Sequence, residues 1–376
     1  LYDEKNFNED AIEYYLKAID SNYTMAKFRL GNLYNRQNTI ESAKLYYDLA
    51  CNDSMVEAKN NFAGLYFEEK NYEKAIKYYE EAIVDGCKVA LENLGDLYYQ
   101  TKDYQKAISY YLRNSTSVSC QKKLADIYME AENTDEAIIW YKKASNNEDI
   151  ESSYKLGLIY EDLNNLEDAK KYYLLAAKKN HLNSKLHLGR IYYNEGNYEE
   201  SKKMLDVCAN ENNAYAQHMV ALIYENYYSD HTNAKYWYEK SKNQGLVESI
   251  FNLGQISLKL EEDELAKKYF KQGVEAGNKD SEYMLAGIYL KKGRNMYKKL
   301  GEEDVFNSKD IYDSIPEFKL NTESFLIPEF KEFEVVKDEE DEEYIPNYIL
   351  QIDENLEDMY EARLQKMLVE TKFGYK

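Results

Sequence analysis

Aromatic, amide and charged side chains recur at two fixed positions beside a repeated small residue, and such side chains suit non-covalent recognition of another protein. One position lies three residues before the small residue, and the other lies four residues after it. Tyr and Phe bury a large area at little cost in side-chain entropy, so they dominate many protein interfaces. The residues predicted to contact a partner are Phe28, Asn60, Phe67, Glu92, Tyr99, Lys122, Met129, Tyr154, Tyr193, His218, Phe251 and Tyr283.

The same rings have a second interpretation, in which they fill the interfaces between neighbouring repeats. Large aromatic side chains contribute strongly to cores as well as to binding surfaces. The two interpretations differ in the exposure that they predict for each ring. The sequence alone leaves both open.

Residues that could catalyse a reaction or bind a metal form no recognisable motif. His181 and His187 are six positions apart, which is the wrong step for one face of a helix. The acidic run Asp338–Glu343 lacks the glycine turn and the spaced ligands of an EF-hand loop. Motifs of the GxSxG, P-loop, HExxH and GxGxxG types are absent. The sequence therefore predicts a protein that is not an enzyme, with no catalytic residue, no metal site and no cofactor.

Four cysteines are spread along the chain without a CxxC motif or a close pair. This spacing favours small buried thiols over a disulfide or a metal site. The cysteines are Cys51, Cys87, Cys120 and Cys208.

The small residue stands at nearly constant intervals over most of the chain. After it, apolar residues follow a helical step, as in Leu97 and Tyr98, and a second small residue comes twelve positions later, as in Ala107. This spacing predicts pairs of antiparallel helices joined by short polar turns, packed closely where Gly or Ala lets two backbones approach. The small residues are Gly31, Ala63, Gly95, Ala125, Gly157, Gly189, Ala221, Gly254 and Ala286, at intervals of 32, 32, 30, 32, 32, 32, 33 and 32 residues.

The repeated unit resembles the tetratricopeptide (TPR) and Sel1-like repeat superfamily over residues 1–291. Asn93-Leu94-Gly95 is similar to the NLG motif of Sel1 repeats, and Trp140-Tyr141 is similar to their WY motif, whereas the turn Gly196-Asn197-Tyr198 is closer to TPR. The interval is shorter than the ~34 residues of TPR, and the TPR proline after the second helix is missing. The resemblance implies an all-α protein, an α-solenoid built as a right-handed superhelix of about nine antiparallel helix pairs, with the first repeat truncated.

The last quarter of the chain departs from the repeat. Residues 301–376 carry 22 Asp and Glu against 8 Lys and Arg, which accounts for −14 of the net charge of −21. We predict an irregular acidic extension over residues 292–352 and an amphipathic helix over residues 353–370. We expect the tail to fold back on the solenoid; an exposed motif for another protein and disorder are the alternatives. The predicted docking residues are Ile315, Phe318, Ile327, Phe330, Tyr344, Ile345 and Tyr348.

The charge and hydropathy of the chain argue against two classes of partner. Nucleic acids and anionic membrane surfaces are bound by Lys and Arg, and this acidic chain has no basic stripe. No apolar run approaches the ~20 residues of a membrane-spanning helix. We therefore predict no nucleic acid and no direct membrane insertion in this segment, and a protein or peptide as partner.

The first residues bear on localisation. Leu1-Tyr2 lie 32 positions before Leu33-Tyr34, in register with the end of a first helix. We expect a fragment or a processed chain cut inside an earlier repeat, which leaves localisation open, with the cytoplasm favoured. The abundance of Asn, Lys and Tyr favours an AT-rich, bacterial genome.

These observations predict a non-catalytic scaffold that holds a partner protein or peptide in a concave groove and is capped by its own tail. Stacked helices preorganise a long surface, so binding orders the receptor at little entropic cost. Two alternatives remain. One is a structural subunit of a homo-oligomer or larger assembly, and the other is the accessory repeat region of an enzyme whose catalytic part lies upstream.

Overall fold

A computed structural model of the 376-residue chain describes residues 2–302, and in that part every regular element is an α-helix. The helices are α1 Tyr2–Asp20, α2 Thr24–Arg36, α3 Ile40–Asn52, α4 Val56–Glu68, α5 Tyr72–Val84, α6 Lys88–Gln100, α7 Tyr104–Arg113, α8 Val118–Glu130, α9 Thr134–Asn146, α10 Ile150–Asp162, α11 Leu166–Ala177, α12 Leu182–Asn194, α13 Tyr198–Asn210, α14 Ala214–Asn226, α15 His231–Lys242, α16 Val247–Lys259, α17 Asp263–Glu275 and α18 Lys279–Glu302.

The even-numbered helices are the first helices of the repeats, and the odd-numbered helices from α3 onward are their second helices. Turns of three or four residues join consecutive helices, and turns this short make neighbours antiparallel. The predicted all-α class and the stacking of antiparallel helix pairs are confirmed.

The turns have a recurring chemistry that explains where the helices begin and end. After α6, Lys102 adopts a left-handed conformation with φ 63°, and the next amide, that of Asp103, donates to the carbonyl of Tyr98 at 2.8 Å. The side chain of Asp103 then accepts from the amide of Lys106 and caps α7. Gly196 holds the same turn position as Lys102 in a later repeat.

The described part of the chain divides between residues 175 and 176 into two compact units, residues 2–175 and residues 176–302. The predicted division places the whole of residues 1–291 in one solenoid. In the second unit, α18 continues to Glu302, past the predicted boundary at residue 291, because residues 292–302 contain no proline and favour helix. The predicted docking residues Ile315, Phe318, Ile327, Phe330, Tyr344, Ile345 and Tyr348, and the predicted helix 353–370, lie outside the described residues.

The repeated glycines lie where a large side chain of the second helix crosses the first helix, as the sequence predicts. In the first unit, a Cβ atom added at Gly95 or Gly157 would lie 2.4 Å from a ring carbon of Tyr111 or Tyr173. In the second unit, a Cβ atom added at Gly189 would lie 2.4 Å from the Leu205 side chain. Distances this short are excluded by sterics, so a larger residue at Gly95, Gly157 or Gly189 would displace the facing side chain.

The buried tyrosines of the second helices donate hydrogen bonds to the first helices. Tyr111 donates to Asp96 at 2.6 Å, and Tyr173 donates to Glu161 at 2.7 Å. Burial, reinforced by the neighbouring carboxylate of Asp96, raises the pKa of Tyr111 well above its usual value. Each ring therefore fills the space above a small residue while its hydroxyl group stays paired and neutral.

Raising the pH above about 10 is expected to unfold the described helices, because tyrosine in an unfolded chain titrates there. Burial raises the pKa of Tyr215 to about 12 and holds that of Tyr111 higher still. A raised pKa in the folded state gives stability that is fully present below about pH 10 and is lost as the pH rises through the folded values. The tyrosinate absorbance of the buried tyrosines should therefore rise in the same transition in which the circular dichroism signal of the helices is lost. Complete tyrosine ionisation near pH 10 with the helical signal retained would contradict this prediction.

Candidate functional site

The predicted contact residues of the first unit differ in exposure. Met129 is 37% exposed, whereas Tyr154 is buried with its ring centroid 6.0 Å from that of Tyr173. The half-buried members are Phe28, Asn60, Phe67, Glu92, Tyr99 and Lys122.

Two polar members of this set, Asn60 and Glu92, form hydrogen bonds within the unit. Asn60 accepts a hydrogen bond from Asn93 at 2.9 Å, and Glu92 accepts one from Lys123 at 2.9 Å. Burial disfavours the charge of Glu92, but hydrogen bonds from Ser119 and Lys123 outweigh this effect and hold the pKa of Glu92 below its usual value. These side chains therefore link successive first helices to one another.

Three of the predicted residues and two neighbouring tyrosines form partly exposed contacts that we call the aromatic stripe. Three of its residues occupy one repeat position on α4, α6 and α8, and two come from the starts of α5 and α7. Tyr99 connects neighbouring repeats, because its hydroxyl donates to the carboxylate of Glu130, which raises the pKa of Tyr99 to about 12. The residues of the aromatic stripe are Phe67, Tyr72, Tyr99, Tyr104 and Met129.

In the second unit, the predicted contact residues also fall into different environments. His218 and Phe251 are buried, Tyr193 is half-buried, and Tyr283 is 61% exposed. Two of the four side chains thus contribute to the core of this unit.

His218 belongs to a buried chain of hydrogen bonds that runs through two repeats. Ser241 donates to the carbonyl of Ala214 at 2.8 Å, and Ser249 donates to Ser241 at 2.8 Å. Because both hydroxyl protons are used in this way, Nδ1 of His218, 2.7 Å from Ser249, must carry a proton and donate. Its Nε2 lies 3.3 Å from the amide nitrogen of Asn252 and accepts from it. Ser241, Ser249 and His218 are all buried, so a substrate has no access to the pair formed by Ser249 and His218.

The chain of hydrogen bonds continues to an ion pair. Asn252 donates to the hydroxyl of Tyr238 at 3.3 Å, and Tyr238 donates to the carboxylate of Glu225 at 3.1 Å. Lys259 forms a salt bridge with the other oxygen of Glu225 at 2.9 Å. Glu225 is buried and Lys259 is partly exposed, so the lysine is the end of the network that reaches the surface.

Five tyrosines cluster at the ends of α12 and α14 and the start of α13, and we call them the tyrosine cluster. The ring centroids of Tyr198 and Tyr227 are 5.1 Å apart, and those of Tyr227 and Tyr228 are 4.9 Å apart. Tyr227 is 48% exposed and Tyr228 is 40% exposed. The members of the tyrosine cluster are Tyr193, Tyr198, Tyr224, Tyr227 and Tyr228.

The sequence analysis predicts one member of this cluster, Tyr193, as a residue that contacts a partner. A signal for two others is present, because the interval after Ala221 is 33 residues and the extra length falls at the Tyr227-Tyr228 pair. Other turns at this repeat position are one residue shorter or hold no aromatic pair, and most are polar, as at Lys102-Asp103. An aromatic pair inserted into a polar turn is an exposed feature that core packing does not explain.

The described residues 2–302 offer no set of three or more His, Cys, Asp and Glu side chains suited to a metal ion. Burial raises the pKa of Cys51 and Cys208 to about 12 and that of Cys120 to about 11, so these thiols stay protonated at neutral pH. Within the same part of the chain, every helix is too short or too polar to span a membrane.

Models of known repeat families match most of the repeats of this chain. Tetratricopeptide repeat models match residues 60–114, and also 123–146, 150–178, 182–212 and 247–277. A Sel1 repeat model matches residues 3–23 and 214–246. No curated protein matches the chain.

Two solved structures are similar to the chain. One is c5321, a protective antigen of uropathogenic Escherichia coli displaying an SLR fold, with a TM-score of 0.58, 21% identity, and coverage of 78% of this chain and 72% of that one. The other is a Sel1 repeat protein from Oxalobacter formigenes, with a TM-score of 0.49, 18% identity, and coverage of 73% and 90%. At 21% identity, the similarity to c5321 shows the fold of this chain and nothing about its function.

Proposed function

Because this chain belongs to the superfamily of tetratricopeptide and Sel1-like repeat proteins, we propose that it is a non-catalytic scaffold that binds a protein or peptide through exposed aromatic side chains. Repeats of these families typically mediate protein–protein interactions and are generally non-catalytic. The observation that carries the proposal is the tyrosine cluster, in which Tyr227 and Tyr228 are exposed although they are packed against other rings.

The packing of the tyrosine cluster suits it to binding. Tyr227 lies against Tyr198, and Tyr228 lies 5.6 Å from Tyr224 and donates to Glu199 at 2.9 Å. These contacts restrict the two exposed rings before a partner arrives, so little side-chain entropy is lost on binding. Contiguous exposed aromatic area is uncommon on a protein surface without a binding role.

The charges around the tyrosine cluster indicate the chemistry of the partner. Glu199 accepts from Tyr228, and the ammonium group of Lys202 lies 4.9 Å from the ring centroid of Tyr224. Because both signs of charge flank the rings, a partner with an apolar or aromatic anchor and hydrogen-bonding groups fits better than a strongly charged one.

The aromatic stripe supplies a second surface for the same function, in the first unit. Met129 is exposed, and the rings of Tyr99 and Tyr104 meet edge to face at 5.6 Å. A flexible Met beside fixed aromatic rings adapts to partners of differing shape.

A peptide-display selection against the full chain tests this function. Selected peptides are expected to bind the Tyr227→Ala/Tyr228→Ala variant at least about tenfold more weakly, because truncating a hot-spot ring commonly costs more than 1 kcal/mol. Tyr236→Ala is the matched control, since Tyr236 is 51% exposed in the same unit but outside the tyrosine cluster. Thermal melting should be nearly unchanged for both variants.

Two outcomes would contradict the proposal. One is equal affinity of every selected peptide for the wild type, the Tyr227→Ala/Tyr228→Ala variant and the Tyr99→Ala variant. The other is the failure of the selection to enrich any peptide. Light scattering over a range of concentrations separates the assembly alternative, because self-association weakened by the same substitutions would make the partner a second copy of the chain.

A further inference from the structure

The last described helix exposes a face that earlier first helices bury. In the preceding repeat, Gly254 is covered by the ring of Phe270, and Ile256 is fully buried. At the same repeat positions in α18, Ala286 is exposed and Ile288 is only half-buried. Within the described residues, the ninth first helix therefore lacks the covering that a second helix gives the others.

Beside this face lies a cleft between α17 and α18 with a volume of about 330 Å³. The ammonium group of Lys267 lies over the ring of Tyr289, 5.1 Å from its centroid. The cleft is lined by apolar side chains and by more basic than acidic ones, the acidic ones being Asp263 and Glu264. Its lining includes Lys267, Ile288, Tyr289, Lys292, Met296 and Lys299.

The charge of α18 is opposite to that of the chain as a whole. Residues 283–301 contain no Asp or Glu, whereas the chain carries a net charge of −21. The basic residues of this stretch are Lys291, Lys292, Arg294, Lys298 and Lys299. A covering segment would therefore combine an apolar stripe with acidic side chains.

Residues 353–370 have both properties. Their apolar residues follow one helical stripe, as Leu356, Met359 and Tyr360 show. The acidic residues of the segment's first half are Asp353, Glu354, Glu357, Asp358 and Glu361. The connection from Glu302, about 50 residues long, reaches up to roughly 160 Å when extended, so chain length does not prevent the contact.

We propose that residues 353–370 act as the second helix of the ninth repeat and cover α18. The apolar stripe packs on Ala286 and Ile288, and the acidic residues of its first half face the lysines of α18. Docking extends the core cluster of Phe270 and Met284, against which Leu285 and Ile288 of α18 are only partly buried. This contact is independent of partner binding by the tyrosine cluster.

Hydrogen exchange of the full chain tests the docking. In the Met359→Asp/Tyr360→Asp variant, amides of residues 283–299 are expected to exchange at least about tenfold faster than in the wild type, because the covering of α18 is lost. The matched control is Phe318→Asp/Phe330→Asp, which instead charges the two Ile-Pro-Glu-Phe (IPEF) segments, residues 315–318 and 327–330, and should leave exchange of α18 unchanged. Carbodiimide coupling should link Lys291, Lys292 or Lys299 to acidic residues of 353–361 within a monomer, at a yield independent of concentration.

Three results would overturn the proposal. Faster exchange of α18 in the Phe318→Asp/Phe330→Asp variant alone would assign the face to the IPEF segments. Couplings found only between chains would assign it to a second copy. Unchanged exchange in both variants would show that neither segment covers α18.

Discussion

The Gly157→Leu variant is expected to lose about 3 kcal/mol or more of the unfolding free energy of the first unit. An added Cβ atom would lie 2.4 Å from both Cδ1 and Cε1 of Tyr173. The ring has no free space to occupy, because it is fully buried beside Tyr154 and its hydroxyl is bonded to Glu161. Overpacking a core commonly costs ~1–3 kcal/mol, and separating two helix backbones costs more.

Urea unfolding of the full chain, monitored by circular dichroism, measures the loss of stability. Hydrogen exchange of the α10 amides assigns that loss to the first unit. Asp162→Leu is the control, since it adds leucine at an exposed position on α10 and should change stability by no more than about 0.5 kcal/mol. Combining Gly157→Leu with Tyr173→Ala should cost less than the sum of the two single changes, because the second change removes the clash. A Gly157→Leu protein as stable as the wild type would mean that this face is not closely packed.

The Lys259→Met variant is expected to destabilise the second unit by about 3–5 kcal/mol, the usual cost of leaving a buried charge without its partner. The carboxylate of Glu225 is buried, and Lys259 is the cation bonded to it, at 2.9 Å. Methionine keeps the length and the apolar stem of lysine and removes the charge. The loss therefore reports on the ion pair rather than on packing.

The double variant Lys259→Met/Glu225→Gln should recover most of this loss. The glutamine oxygen still accepts from Tyr238, and no unpaired charge is left at this position. Lys268→Met, at an exposed lysine of α17, is the control for removing a surface charge. Both measurements use urea unfolding of the full chain. Equal stability of the Lys259→Met variant and the wild type, or a double variant no better than the single one, would contradict this account.

The repeat interval alone predicts most of the fold, because one physical constraint acts at every copy. The position of Gly95 requires a small residue, and Tyr111 follows sixteen positions later on the second helix to fill the space above it. A helical projection places these residues on the facing sides of the two helices, and the short turn between the helices makes them antiparallel. The division after residue 175 has no such signal, since the interval from Gly157 to Gly189 is an ordinary 32 residues.

The candidate site is predicted less well, because a helical projection gives the direction of a side chain but not what covers it. Tyr154, His218 and Phe251 hold the same repeat position as the half-buried Phe28, yet all three are buried in the structure. For His218 the covering groups, Ser249 and Asn252 among them, come from the next repeat, and their hydrogen bonds cannot be read from one helix. The exposed Tyr227-Tyr228 pair falls in a turn, where a helical projection does not apply.

The directional hydrogen bonds from Ser241 to Lys259 have a consequence for assembly order. Tandem copies with similar packing surfaces can associate out of sequence while a chain folds. A hairpin other than α16–α17 placed against α14 would remove Ser249 from His218 and Lys259 from Glu225, and breaking these buried contacts is costly. The correct neighbour at this junction is thus selected by directional hydrogen bonds as well as by packing.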